Sequence, residues 1–325
     1  MAVLVHPEEQ ALPPRLLRKL SQLYLNLDIE QDPYVASLRS EDVEKYLKVR
    51  LSRKTYCQDQ MKRLVRMATE VNNELGPWTS ELYICLCILR FQAQRRAGFS
   101  ILEDMNEGEK VYLNNLFASL SVPAIDMHLN SQDRGLSPKA CQLIGLLAHE
   151  MSPGSAGIIF VKTRAAVKLL SVLLTTHPVL KDILRIGTFV GTSNNQARAS
   201  NLSDLINISD QKETLNDLRN GTKNLIIATS VCEEGIDITA CNIVICFEQP
   251  PNLKSFIQRR GRARSKKSKF VVMFPKGQEK ALLEWQNLEA EMKEKYMDDM
   301  RHLEGIERLE ADEDGHREFL IESTG

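Results

Sequence analysis

The chain has 325 residues, 42 basic and 43 acidic side chains, a formal net charge of -1 and 43% hydrophobic residues, values that suit a globular protein of one to three domains with a real core. No apolar run approaches the roughly 20 residues of a spanning helix, and "MAVLVHPEEQALPP" lacks the basic start and cleavage site of a secretory signal. The seven cysteines are odd in number, form no CxxC pair and sit mostly in apolar runs, so they read as buried thiols of a reducing intracellular compartment, cytoplasmic or nuclear, with no metal site and no membrane partner expected.

The first third reads as helices without strands. "LRKLSQLYLNLDI" is one. "QMKRLVRMATEVNNEL" places Met61, Leu64, Val65, Ala68, Val71 and Leu75 at helical spacing, with Gly76-Pro77 as the stop. "SELYICLCILRFQAQRR" is apolar nearly all round at its start, the mark of a buried central helix. "EKVYLNNLFASL" repeats the pattern, with Leu113, Leu116, Phe117 and Leu120 facing in. A helical part is therefore expected over residues 1–133.

Between Pro123 and Pro138 the pattern breaks into turn chemistry, and Ser137 with Pro138 reads as the cap and first position of a new helix. The period then changes. "GIIFVKTR", "RIGTFVGT", "KNLIIATS", "CNIVICFE" and "KFVVMFP" are short apolar runs, separated by helices at about 165–174, in "QKETLNDLRNG" and in "LKSFIQRRGRA". Strands apolar on both faces and alternating with helices predict an α/β fold over residues 134–276: a parallel sheet with helices on both faces. "NNQARASNLSDLINIS" is a long polar loop. Residues 277–325 read as long polar C-terminal helices, with Leu282, Trp285, Leu288, Met292 and Tyr296 along one packed side.

Ligands of an open α/β sheet bind outside the carboxyl ends of its strands, and three stretches are expected there. Lys162 and Thr163 follow the first strand. Thr229 and Ser230 follow "NLIIA", offering hydroxyls and backbone N–H groups suited to a phosphate; Gly235 permits a tight turn, and Asp237 is a lone carboxylate in apolar "GIDI". "QRRGRAR" supplies Gln258, Arg262 and Arg264, whose guanidinium forks match phosphate oxygens. From Lys254 to Lys269 there is no acid at all. By residue type alone a solvated basic helix is an equal reading of the arginines, and Asp237 by itself reads first as a capping or turn residue.

Together these stretches are more specific. "NLIIATSVCEEGIDITACNIVICFEQPPNLKSFIQRRGRAR" resembles motifs V and VI of superfamily 2 helicases in order and separation, and "GIIFVKTR" resembles motif IV. The likeness is to the Dicer and RIG-I-like branch, where the last motif ends GRAR or GRGR. "NNELGPWTSELYI" resembles part of that branch's helical insertion, and "LDIEQDPYVASLRS" resembles fungal Dicer-like proteins.

The resemblance implies a RecA-like helicase C-terminal domain between a helical insertion and a pincer-like C-terminal segment. It implies ATP with Mg²⁺ as cofactor, double-stranded RNA as partner, and a role in small-RNA production and RNA silencing. Arg262, as arginine finger, and Arg264 would be catalytic. Gln258, Gly235 and Asp237 would join them in lining the ATP cleft, and Lys162, Thr163, Thr229 and Ser230 would hold the RNA backbone. No GxxxxGK[ST] loop and no DExx box on an apolar strand occur in the sequence. The elements that cradle the phosphates and hold Mg²⁺ are therefore expected from a first RecA-like domain, in cis or in trans, and the isolated chain is expected to be inactive. Two other readings stand beside this one. "KVRLSRK" (Lys48, Arg50, Arg53, Lys54) and "RFQAQRR" (Arg90, Arg95, Arg96) would suit a non-catalytic RNA-binding or interaction module, and a DNA-repair translocase relative is the third.

Overall fold

The computed structural model describes residues 2–7, 11–96, 102, 105–122, 135–152, 154–191, 202, 211–230, 241–264, 267–278, 280, 283–292 and 294. The chain opens with a strand, β1 (Ala2–His6), and then builds a helical layer. Its members are α1 (Arg15–Leu25), a 3-10 turn (Ile29–Gln31), α2 (Pro33–Glu41), α3 (Val43–Ser52), α4 (Tyr56–Leu75), α5 (Pro77–Arg96) and α6 (Glu107–Ser119). Asp32, Asp42, Thr55 and Asn106 each take a backbone N–H at a helix start, satisfying donors that have no partner within the helix. Met61, Leu64, Ala68, Val71 and Leu75 form the buried stripe of α4, and α5 buries Leu82, Tyr83, Ile84, Cys85, Cys87 and Ile88 almost all round.

The second part contains α7 (Pro138–Glu150), β2 (Gly157–Phe160), α8 (Arg164–Thr176), β3 (Ile186–Phe189), α9 (Gln211–Arg219), β4 (Leu225–Ala228), β5 (Ile243–Cys246), α10 (Leu253–Arg260) and β6 (Lys269–Pro275). The sheet order is β1-β6-β5-β2-β4-β3, and every neighbouring pair is parallel. Successive side chains point to opposite faces. Ile159, Leu225, Ile227, Ile243, Ile245, Val271 and Met273 share one core with α7, α8 and the helical layer. Ile158, Phe160, Ile226, Val244, Phe270 and Val272 join Leu218 of α9 and Phe256 of α10 on the other side. Both faces are covered, which is the physical reason these strands are apolar throughout. The fold is the expected RecA-like α/β sheet.

Two expectations are corrected. The first third is not free of strands: "AVLVH" pairs with β6 from Ala2↔Val271 to His6↔Pro275 at the sheet edge. The apolar stripe after Gly277 does not all pack. In the helical stretch 283–292, Trp285 sits 5.5 Å from the Phe256 ring and Glu289 pairs with Arg260, but Leu288 and Met292 are 45% and 54% exposed. The packing face is the one carrying Trp285 and Glu289. Leu282 and Tyr296 lie outside the described residues, as does most of the long loop after β3.

Helical layer and sheet meet at a close seam. Gly76 caps α4 at φ 105° and ψ 172°. Trp78 N–H donates to Gly135 O (3.0 Å), Ser137 N–H to Leu75 O (3.1 Å) and Ser137 Oγ to Glu74 O (2.6 Å). Buried Lys139, in the first turn of α7, pairs with Glu74 and places Nζ 4.2 Å from the Phe247 ring centre.

Candidate nucleotide and RNA interfaces

The chain passes from β4 on one side of β2 to β5 on the other, and a crevice opens at their carboxyl ends, where such sheets bind ligands. The cavity there has a volume of about 460 Å³. Lys162 and Thr163 enter it from the end of β2, Ser230 from β4, Glu248 and Gln249 from β5, and Arg259 from α10. Its far wall is α4 of the helical layer, through Met67, Glu70, Val71 and Glu74. Three of the four expected RNA contacts, Lys162, Thr163 and Ser230, therefore share one cavity. Thr163 accepts the Ala166 N–H at 3.1 Å as the cap of α8, which leaves its own O–H free to turn toward a ligand. The fourth, Thr229, is buried at 9% exposure, its N–H donating to Phe189 O at 3.1 Å, and is not part of the cavity lining.

"QRRGRAR" does not lie as a unit at the carboxyl ends, and this placement is corrected. Helix α10 returns over the sheet, so the turn after it lies beside the amino end of β5, where Cys241 N–H donates to Arg262 O at 3.3 Å. Burial pushes the Cys241 thiol up to about 11, with Arg262 and Arg264 drawing it back, so both guanidinium groups stand near this end. Arg262 is 9% exposed; Arg264 is exposed, its Nε donating to Gly261 O at 3.4 Å. Of this motif Arg259 is the one that lines the carboxyl-end cavity, 4% exposed and 5.0 Å over the Phe160 ring. Arg262 and Arg264 thus lie at the opposite end of β5 from Lys162, Thr163 and Ser230. Gln258, partly buried, lies on α10 immediately before Arg259. Gly235 and Asp237 lie outside the described residues.

Glu248 and the α4 wall carried no signal in the sequence, and Arg259 carried only that of its basic motif. Burial raises the Glu248 carboxyl to about 7; Glu74 adds to the rise, and Lys139, the Lys162 N–H and Arg259 oppose it. The Lys162 N–H donates to its Oε2 at 3.2 Å.

For ATP with Mg²⁺, the described residues offer guanidinium donors suited to phosphate oxygens. Among them the single grouping of three metal-capable side chains is Asp32, Cys57 and Glu109, buried, with ligand atoms within 4.8 Å of one another. It belongs to the helical layer, and its atoms are engaged in hydrogen bonds. Asp32 accepts from Tyr34 N–H (3.0 Å) and Thr55 Oγ1 (2.6 Å), Glu109 from Asn106 N–H (2.9 Å), and Cys57 Sγ lies 3.8 Å from Glu109 O. The basic runs of the helical layer are partly spent on the fold as well. Arg50 pairs with Glu30 (2.7 Å), Arg95 lies 3.6 Å from Glu107, and Arg53 donates to Leu27 O (2.7 Å).

The parallel sheet with its crevice is a RecA-like α/β domain, and residues 138–267 match the helicase conserved C-terminal domain family. The chain is 41% identical over 315 residues to Dicer-like protein 2 of Neosartorya fischeri, covering 95% of this chain and 22% of that protein. It is 39% identical over 334 residues to Dicer-like protein 2 of Phaeosphaeria nodorum (98% and 24%), and 40% identical over 317 residues to Dicer-like protein 2-1 of Aspergillus niger (96% and 23%). The chain belongs with the helicase C-terminal region of fungal Dicer-like proteins and spans about a fifth of their length. The Hef helicase domain of Pyrococcus furiosus overlays on 88% of this chain and 57% of its own at 17% identity, with a TM-score of 0.40, too loose an overlay to bear on function. Among the described residues no helix is long and apolar enough to cross a membrane.

Proposed function

We propose that the chain is the second motor half of a Dicer-type, RNA-dependent ATPase that serves small-RNA production and RNA silencing. The supporting observation is the carboxyl-end cavity that gathers Lys162, Thr163 and Ser230 from two strand ends. There the ammonium of Lys162 and the two hydroxyls meet phosphates of double-stranded RNA, recognised by backbone and shape. At the other end of β5, Arg262 and Arg264 face ATP held with its Mg²⁺ by a first RecA-like domain, and Gln258, Gly235 and Asp237 complete the lining of that cleft. Bound ATP supplies the phosphoryl group; Arg262 offsets the charge that builds on it, an effect worth about 10³–10⁵ in rate in such motors. Arg262 has no phosphate to act on until the first domain closes over it.

The test has two arms. The chain alone, with double-stranded RNA, is expected to show no ATP hydrolysis above background; robust turnover overturns the half-site assignment. RNA binding is expected to weaken with salt, and Lys162→Ala to lower the slope of log K against log [salt] by about one. No binding at low salt overturns the RNA assignment. Equal binding to duplex DNA favours the translocase reading.

A further inference from the structure

The cavity that would take an RNA phosphate is walled by acids as well as cations. Glu70 and Glu74 stand on α4 and Glu248 at the end of β5, against Lys162 and Arg259. Bringing a phosphodiester between them sets like charges together in a partly dry site, where repulsion is strong. Two of the acids are already provided for. Glu74 has Lys139 as its counter-ion, and Glu70 is half exposed to water with Arg66 3.9 Å away. Glu248 is different: it holds the Lys162 N–H and so sits at the base of the very residue that would meet the phosphate.

We propose that the cavity is a proton-coupled phosphodiester site, in which Glu248 takes up one proton from solvent as an RNA phosphate enters between Lys162 and Arg259. This rests on the assignment of the cavity to the RNA backbone. Among the described residues, the charged groups facing Glu248 are Glu74 from α4, Lys139 from α7, Lys162 from the β2–α8 turn and Arg259 from α10. Burial and Glu74 leave the Glu248 carboxyl at about 7 before any ligand arrives. An entering phosphate adds a negative charge beside it and moves it higher. The complex then binds more protons than the free chain over the interval between the two values, so affinity falls as pH rises from about 7 and is level below it.

The experiment measures affinity of the chain for a short RNA duplex at fixed salt, from about pH 6.5 to about pH 8.5. A one-unit rise on binding gives roughly tenfold weaker binding at the alkaline end. Glu248→Gln, which keeps the shape and removes the charge, is expected to bind at the tight level throughout, and Glu248→Asp to keep a slope. RNA binding without a pH slope, or with the same slope in E248Q, overturns the proton coupling and leaves the RNA assignment standing. No RNA binding at either pH overturns both.

Discussion

Gly76→Ala is expected to loosen the seam between helical layer and sheet. Gly76 has φ 105° and ψ 172°, a region held almost only by glycine, and another residue there costs about 1–3 kcal/mol. A Cβ on Gly76 would lie 2.5 Å from Ser137 N, 2.6 Å from Leu136 C and 2.6 Å from Leu136 Cα. These are backbone atoms and cannot swing aside; relieving the overlap draws Ser137 N–H away from Leu75 O, and overpacking of this kind costs about 1–3 kcal/mol more. The total of about 2–6 kcal/mol corresponds to a fall of roughly 5–20 °C in Tm for a domain of this scale. Gly221→Ala is the control, because Gly221 also has positive φ (78°) but nothing within 4 Å of its Cβ position, so it carries the backbone cost alone, about 1–2 kcal/mol. Thermal unfolding of the two variants side by side separates the terms. Equal Tm losses would refute the close approach at Leu136–Ser137 as the source of the effect.

Further outcomes follow from other residues. Lys139→Ala removes the counter-ion of Glu74 and the cation over Phe247, and urea unfolding should show a loss of about 2–4 kcal/mol. Glu248 has its folded value raised above the ordinary 4.5 to about 7, so the native state loses stability as pH rises from about 4.5 to 7; E248Q should raise Tm at pH 8 and leave it little changed at pH 4. Burial pushes Cys57 upward, Cys85 and Cys241 to about 11 and Cys87 to about 12, so thiol labelling of the native chain at pH 8 should begin, among the described cysteines, at the partly exposed Cys141, as peptide mapping would show. Arg262→Ala, in a protein that carries both motor domains, should lower RNA-stimulated ATP hydrolysis about 10³-fold or more without changing RNA affinity measured by fluorescence anisotropy.

The central strands were legible because they are buried on both faces: "GIIF", "LIIA" and "IVIC" are apolar at every position, a pattern no surface element needs. β1 is equally apolar in "AVLVH", but it is an edge strand whose partner β6 begins at Lys269, and nothing local in five residues announces so distant a pairing. Of the candidate site, Lys162, Thr163 and Ser230 follow directly from strand ends and motif likeness. Glu248 and the α4 wall do not, because Glu70 and Glu74 are ordinary polar positions on an amphipathic helix until the seam folds α4 over the crevice. The misplacement of Arg262 has a related cause. Its motif reads as one unit in sequence and stays one turn of backbone, with Arg262 N–H on Arg259 O at 3.1 Å, yet the Arg259 side chain lines the carboxyl-end cavity while Arg262 lies beside Cys241 ahead of β5.

The edge strand has a consequence for how the molecule could be taken apart. Gln142 Nε2 of α7 donates to Val5 O at 2.8 Å, so the point where the chain leaves the sheet after β1 is beside the point where it re-enters at α7. Everything between is a loop in the topological sense, entered and left through neighbouring doors. Adjacent ends are what tolerate excision and grafting. A short linker from His6 to Pro138 should therefore let the sheet close without its helical layer, once the apolar face of α7 and α8 is repainted with polar residues.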